Sequence, residues 1–163
     1  MALAAAAPAA GMSVRAPAIP PGGRIPTALT CDGAGRSPAL AWSGVPPGTR
    51  ELALTMLDPD APGGTFVHWV AYGIAPRARG LPAAVPPRPV VARPRVRQGV
   101  NGTGGAGYTG PCPPPGSVHR YVLTLLALRR PLALPPGVDA ERLQAAVRGR
   151  VIATADLVGR YGR

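Results

Sequence analysis

Proline and glycine interrupt this chain so often that its structure has to be assembled from many turns joining short segments. Twenty-three prolines and 22 glycines are spread over 163 residues, above average usage for both. The stretches that escape this punctuation are apolar and strand-like. Leu52 to Leu57 is a short apolar run closed by Asp58-Pro59, a turn initiator. Phe66 to Ile74 is rich in aromatic and β-branched residues and reads as a buried strand. Period-two alternation puts Phe66, His68, Val70 and Tyr72 on one face and Val67, Trp69 and Ala71 on the other. Tyr121 to Leu128 is a third strong strand, and Ala39 to Ser43 a weaker one that ends at the turn Gly44 to Gly48. Residues 75–118 form a long irregular connection. Such a length is uncommon in a compact domain unless it is functional, so this region is expected to hold a minor strand or two and to build the rim of a site.

Helical patterning is confined to the end. Asp139 is placed to cap a helix starting at Ala140, with Val138 and Leu143 positioned as a hydrophobic staple and Gly149 as the stop. Val151 to Val158 is expected to form a second short helix. Strands first and helices last is not the alternating order of a parallel α/β fold. The expected architecture is mainly β, an antiparallel β-sandwich with a small C-terminal helical appendage.

The length suits one domain with a real core, and 46% hydrophobic residues argue against wholesale disorder. No apolar run is long enough to cross a bilayer as a helix. Residues 1–12 are alanine-rich with no basic residue ahead of their apolar part, unlike a secretory signal. They are expected to be a disordered tail before a domain at 13–163, in a cytoplasmic protein. The net charge of +11 comes from 18 arginines without a lysine, scattered along the chain. The densest group, Arg88, Arg93, Arg95 and Arg97, lies among prolines and reads as a solvated basic loop. A nucleic-acid face would add stacking aromatics or a reading helix, and neither is present, so no specific nucleic-acid partner is expected. Cys31 and Cys112 are too few for a disulfide framework or a four-ligand zinc site. Two free thiols are the expectation in a reducing compartment, although they could pair if the fold brings the two loops together.

The scarce ionisable groups gather at strand ends. The chain has five aspartates and two histidines. Asp58 and Asp60 flank Pro59 in Asp58-Pro59-Asp60-Ala61-Pro62, where proline restrains both carboxylates and an X-Pro bond is a candidate for the cis form. His68 and His119 each lie within a few residues of a rigid loop. An aspartate paired with a histidine raises its basicity and favours an anion such as phosphate. The run Asn101 to Gly107 has the composition of a phosphate-binding glycine loop but no preceding strand, no lysine and no following helix, so it reads as a flexible turn.

Asp58-Pro59-Asp60-Ala61-Pro62, then His68-Trp69, then Gly110-Pro111, then His119-Arg120-Tyr121 together resemble the phosphatidylethanolamine-binding protein family, also called Raf-kinase-inhibitor-like, in its short bacterial and archaeal branch. Thr30-Cys31-Asp32-Gly33, Ser37 to Trp42 and the ending Leu157 to Arg163 extend the resemblance across roughly residues 18–163. It implies a Greek-key antiparallel β-sandwich with a small anion pocket at one end. By resemblance Asp58, Asp60, His68, Gly110, Pro111, His119 and Tyr121 would line that pocket, with Arg120 and Pro62 supporting the loop. It implies phosphate-type ligands or phospholipid head groups, and inhibition of a kinase or protease as partner. The Gly63-Gly64-Thr65 link is shorter than in the eukaryotic members.

The function expected is therefore non-catalytic binding of a phosphate-type group, with no metal and no cofactor, regulating a kinase or another enzyme. The alternative is a hydrolase that uses the Asp/His pocket with a metal-activated water, since no serine sits in a nucleophile elbow.

Overall fold

A computed structural model describes residues 11–163 of the chain. The expected tail at 1–12 therefore lies outside the described residues except for Gly11 and Met12, and Met12 packs against the core. In chain order the strands are β1 (Ser13–Arg15), β2 (Leu40–Ser43), β3 (Glu51–Asp58), β4 (Phe66–Ile74), β5 (Gly80–Leu81), β6 (Val90–Val91), β7 (Val96–Gln98), β8 (Val118–Leu128) and β9 (Val151–Gly162). One helix, α1 (Ala140–Val147), precedes β9, and a 3-10 turn spans Thr27–Leu29.

Two antiparallel sheets form. The smaller has the order β1-β2-β5 and the larger β6-β7-β4-β3-β8-β9. The chain runs β3, β4, then out through β7, and returns by a long connection to lay β8 beside β3. That is the Greek-key order. Val14, Leu40 and Trp42 of the small sheet meet Leu54, Met56, Trp69, Leu123, Leu125 and Leu157 of the large one, and this inter-sheet layer is the main core. The outer face of the large sheet is covered as well. Ala53, Val70, Tyr72 and Leu128 pack there under Leu132, Val138 and Leu143. Burial on both faces explains why β3 and β4 read as nearly continuous apolar runs.

The helix forms as its caps predict. Asp139 accepts a hydrogen bond from Arg142 N–H at 2.8 Å, and Val138 and Leu143 are both buried. The second expected helix is a strand instead. Residues 151–162 pair with β8 from Val151–Leu128 to Gly162–Val118, and Ala155, Leu157, Gly159 and Tyr161 alternate inward. Local helical propensity lost to an eleven-residue neighbour whose backbone groups would otherwise lack partners on that side. The long connection holds β5, β6 and β7, and its cis bond is Arg93–Pro94 rather than one in the Asp58 to Pro62 turn.

Strand β4 departs from simple alternation twice. Its pairs with β3 jump from Met56–Trp69 to Leu57–Val67, which leaves His68 as an extra residue in a bulge. The bulge turns His68 toward Tyr121 of the inter-sheet layer, on the side of Trp69 rather than with Val70 and Tyr72. A second irregularity lies between Leu52–Ile74 and Leu54–Ala71, where Gly73 adopts φ +69°, a left-handed conformation that suits glycine. Among the described residues no helix is long and apolar enough to cross a membrane.

Leu125 lies fully buried in β8, between β3 and β9. Leu125→Ala should lower unfolding stability by about 2–5 kcal/mol, read from denaturant melts. A loss below about 0.5 kcal/mol would contradict a close-packed inter-sheet layer.

Candidate functional site

Three neighbouring strands deliver the ionisable groups to one end of the large sheet. Asp58 closes β3, His68 stands in the bulge near the start of β4, and His119 lies near the start of β8. All three side chains are buried. Asp58 divides its carboxylate between two tasks. Its Oδ1 accepts from Asp60 N–H at 2.8 Å, which closes the proline turn, and its Oδ2 accepts from His119 Nδ1 at 2.7 Å. A carboxylate offers no proton, so Nδ1 carries the hydrogen and Nε2 is left for other contacts.

His68 is held from the other side. Its Nδ1 donates to the Thr109 carbonyl at 2.8 Å, and Thr109 N–H donates back to the His68 carbonyl at 2.9 Å. This reciprocal pair pins the 109–114 loop to β4 and leaves His68 Nε2 as an acceptor in the neutral ring. Burial pushes the His68 pKa below its ordinary value; the Thr109 carbonyl and Asp58 oppose that shift but do not cancel it. Tyr121, itself buried, lies under both imidazoles. Its ring is edge-on to His68 at 5.2 Å and stacked with His119 at 6.5 Å. Burial drives its phenol well above the usual range, with Asp58 and Asp60 adding to the shift.

These groups border a cavity of about 250 Å³ lined by Asp58, Pro62, Phe66, His68, Gly110 and His119, among others. Gly110 is required there because a Cβ would lie 2.8 Å from the Leu29 carbonyl oxygen. Its N–H makes no hydrogen bond among the described residues. Three residues expected in the lining stand behind it. Asp60 turns away and takes a forked contact from Arg120, with Nε at 2.9 Å and Nη2 at 2.7 Å, plus Arg120 N–H at 2.9 Å. This guanidinium holds the Asp60 pKa well below the carboxylate range. Pro111 is buried and its carbonyl accepts from Cys31 N–H at 3.1 Å, while Tyr121 forms the floor beneath the histidines.

Cys31 and Cys112 are joined, contrary to the expectation of free thiols. The Cys31–Pro111 contact brings their Cα atoms to 5.4 Å, within disulfide reach. Tyr108 OH donates to the Leu29 carbonyl at 2.7 Å and reinforces the same junction. Phe66, Thr109 and Cys112 line the cavity and are not among the pocket residues expected from the sequence. Thr109 was accessible only through its place between Tyr108 and Gly110. The Asn101 turn is tied rather than loose: Asn101 donates to the Gly107 carbonyl at 2.8 Å and accepts from Thr103 N–H at 2.9 Å.

Asp58, His119 and Ser117 follow one another as in a nucleophilic triad, with His119 Nε2 3.3 Å from Ser117 Oγ. The one hydroxyl proton of Ser117, however, is directed to the Pro114 carbonyl at 2.7 Å. The N–H groups of Gly116 and Ser117 are taken by the Arg163 and Pro114 carbonyls, so neither can serve an oxyanion.

Arg120→Ala should return the Asp60 pKa toward the ordinary carboxylate value of about 3.9, followed by carboxyl NMR through an acid titration. An unmoved titration would remove Arg120 as the cause. Reduction of Cys31–Cys112, which spans 81 residues, should cost about 2–5 kcal/mol in denaturant unfolding. Equal stability with and without reductant would show that the bridge adds nothing.

Residues 15–162 match the family model described as phosphatidylethanolamine-binding protein. The chain is 43% identical over 144 residues to a UPF0098 protein of Aquifex aeolicus, covering 87% of this chain and 83% of that one. It is 46% identical over 141 residues to a UPF0098 protein of Methanothermobacter thermautotrophicus, covering 86% and 92%. Among solved structures, the phosphatidylethanolamine-binding protein homologue CT736 of Chlamydia trachomatis superposes with a TM-score of 0.84 at 34% identity, over 94% of this chain and 98% of its own. Escherichia coli YbcL, described as a member of the mammalian family, gives 0.85 at 31% identity, over 94% and 99%. With this fold, these motifs and these matches, the chain belongs to the phosphatidylethanolamine-binding protein family.

Proposed function

We propose that the protein binds a phosphate-type group in the Asp58–His119 cavity without transforming it, and that the occupied form regulates, by inhibition, a kinase or another enzyme. One observation carries the binding half: His119, with Nδ1 fixed by buried Asp58, stands beside His68 and Gly110, whose N–H is unpartnered among the described residues, around one small cavity. Both carboxylates that would repel an anion are already engaged, Asp58 with His119 and Asp60 with Arg120. A free phosphate or the phosphoryl part of a lipid head group offers the acceptor oxygens that such donors recognise.

Metal-assisted hydrolysis is the competing function, and the donor set disfavours it. Asp58 has both oxygens occupied and Asp60 is committed to Arg120, so the two imidazole Nε2 atoms have no free carboxylate beside them to complete a cation's ligand set. Among the described residues no group of three or more His, Cys, Asp or Glu side chains gathers as ligands. The disulfide weighs against a cytoplasmic location, because such bridges persist mainly in oxidising compartments.

Calorimetric titration with inorganic phosphate tests the binding. An anion favours the imidazolium form, and the His68 pKa is lowered, so that form gains population only below about pH 6.5. Affinity should therefore rise as pH falls through that region and level off above it. His119→Ala should weaken phosphate binding by about 1.5–3 kcal/mol, the range for a hydrogen bond to a charged group. Affinity independent of both pH and His119 would refute the assignment, and stoichiometric bound zinc with phosphoester turnover would replace it with the hydrolase.

A further inference from the structure

Charge concentrates a second time at the opposite end of β3 and β4. A cavity of about 410 Å³ opens there, and four arginines border it: Arg50, Arg77, Arg95 and Arg97. They come from separate parts of the chain. Arg50 precedes β3, Arg77 follows β4, Arg95 sits in the β6–β7 turn and Arg97 in β7. Of the basic group that reads in sequence as a solvated loop, the fold directs Arg95 and Arg97 into this convergence, while Arg88 and Arg93 do not line it.

The floor is built rather than incidental. Glu51 is buried, and its two oxygens accept from Gly73 N–H at 2.8 Å and Leu132 N–H at 2.9 Å. Gly73, in the second irregularity of β4, lies against the Arg97 stem, whose Cγ would be in ordinary contact, at 3.6 Å, with a Cβ placed there. The Arg97 guanidinium is steadied by donating from Nη1 to the Leu134 carbonyl at 3.2 Å, with its remaining N–H groups unused. Arg50, Arg77 and Arg95 are exposed, and their side chains make no hydrogen bond or ion pair among the described residues. Four guanidiniums face one carboxylate whose lone pairs already serve backbone N–H groups. Ile74, Val91 and Val96 supply an apolar wall that lowers the local dielectric and strengthens any ion pair formed against it.

We propose that this arginine-lined cavity is a second anion site that takes a compact ligand with two or more phosphoryl groups. Guanidinium forks match phosphoryl oxygens in pairs, and an excess of positive charge spread over four side chains suits several anionic centres better than one. A volume of about 410 Å³ holds more than a single phosphate. No aromatic side chain borders the cavity, so base stacking of the kind that retains single-stranded nucleic acid has no platform. Strand β3 separates this cavity from the Asp58 site by roughly 23 Å at the usual rise per residue, so the two can be loaded and disabled independently.

Titration of the full chain with inorganic pyrophosphate and tripolyphosphate, at near-physiological salt, tests this site apart from the first. One equivalent should still bind in His119→Ala, and tripolyphosphate should bind more tightly than pyrophosphate. The double variant Arg77→Gln, Arg95→Gln should weaken that binding by about tenfold or more, while thermal melting confirms that it is folded. It should leave the pH-dependent phosphate binding at His119 in place. The charge-matched variant Arg142→Gln, Arg148→Gln, on and beside α1, should change affinity by less than about twofold. Equal losses in the two double variants would reduce the effect to the net charge of +11 and overturn the proposal. So would loss of all polyphosphate binding in His119→Ala, or displacement of tripolyphosphate by duplex DNA at equal phosphate concentration, which would point to a nucleic-acid surface.

Discussion

Strand β3 lies in the middle of the large sheet, with β4 on one side and β8 on the other, and its ends organise both charged regions. Its pairing with β8 runs without interruption from Glu51–Leu128 to Leu57–Val122. Continued by one step, that register sets Asp58 opposite Tyr121, with His119 two residues along β8 on the same face and within reach of its carboxylate, while Glu51 is buried at the far end. Strands β3 and β8 are more than 60 residues apart in the chain, so closing this ladder carries a loop-closure cost that local turns cannot offset. The two-sided burial of Ala53, Leu54 and Leu125 supplies the compensating free energy. Once the ladder is closed, the Asp58–His119 contact follows from position.

The bulges in β4 convert a regular sheet into one with polar ends. An unbroken strand would alternate strictly, and His68 would then share the outer face with Val70 and Tyr72. The extra residue at 68 re-aims the imidazole toward Tyr121 and the cavity. At the other end the second irregularity serves the complementary purpose, with Gly73 giving Glu51 a backbone donor. Each irregularity sacrifices ladder pairing and sets a side chain where ordinary pleating would not.

Negative charge in this molecule is used mainly to hold other groups in place. Asp58 orients His119, Asp60 fixes Arg120, Asp139 caps the helix and Glu51 ties two backbone N–H groups. With only seven acidic residues against 18 arginines, this division leaves positive and donor character facing the two cavities. The disulfide and the Tyr108–Leu29 contact then lock the 27–33 segment to the loop that carries Gly110.

The strands β3, β4 and β8, the capped helix and the gathering of Asp58, His68 and His119 at strand ends were legible in the residues alone, because burial, turn chemistry and capping are local in sequence. Family motifs added the Greek-key order and the segments around Gly110. Other features depended on partners distant in the chain. Residues 151–158 read as helix and became strand because β8 offered its backbone along the whole length. Asp60, Pro111 and Tyr121 belong to the expected pocket by sequence but stand behind its wall. Arg120 and the Cys31 backbone, contributed by remote segments, claim the polar groups of Asp60 and Pro111, and the imidazoles of remote His68 and neighbouring His119 cover Tyr121. The cysteine pairing, the face on which His68 stands and the meeting of Arg50 and Arg77 with Arg95 and Arg97 were likewise decided in three dimensions. Sequence determined which segments could be strands and which groups were scarce enough to matter; tertiary structure decided which of them touch, because strand register and bulges are set by long-range pairing that no local pattern encodes.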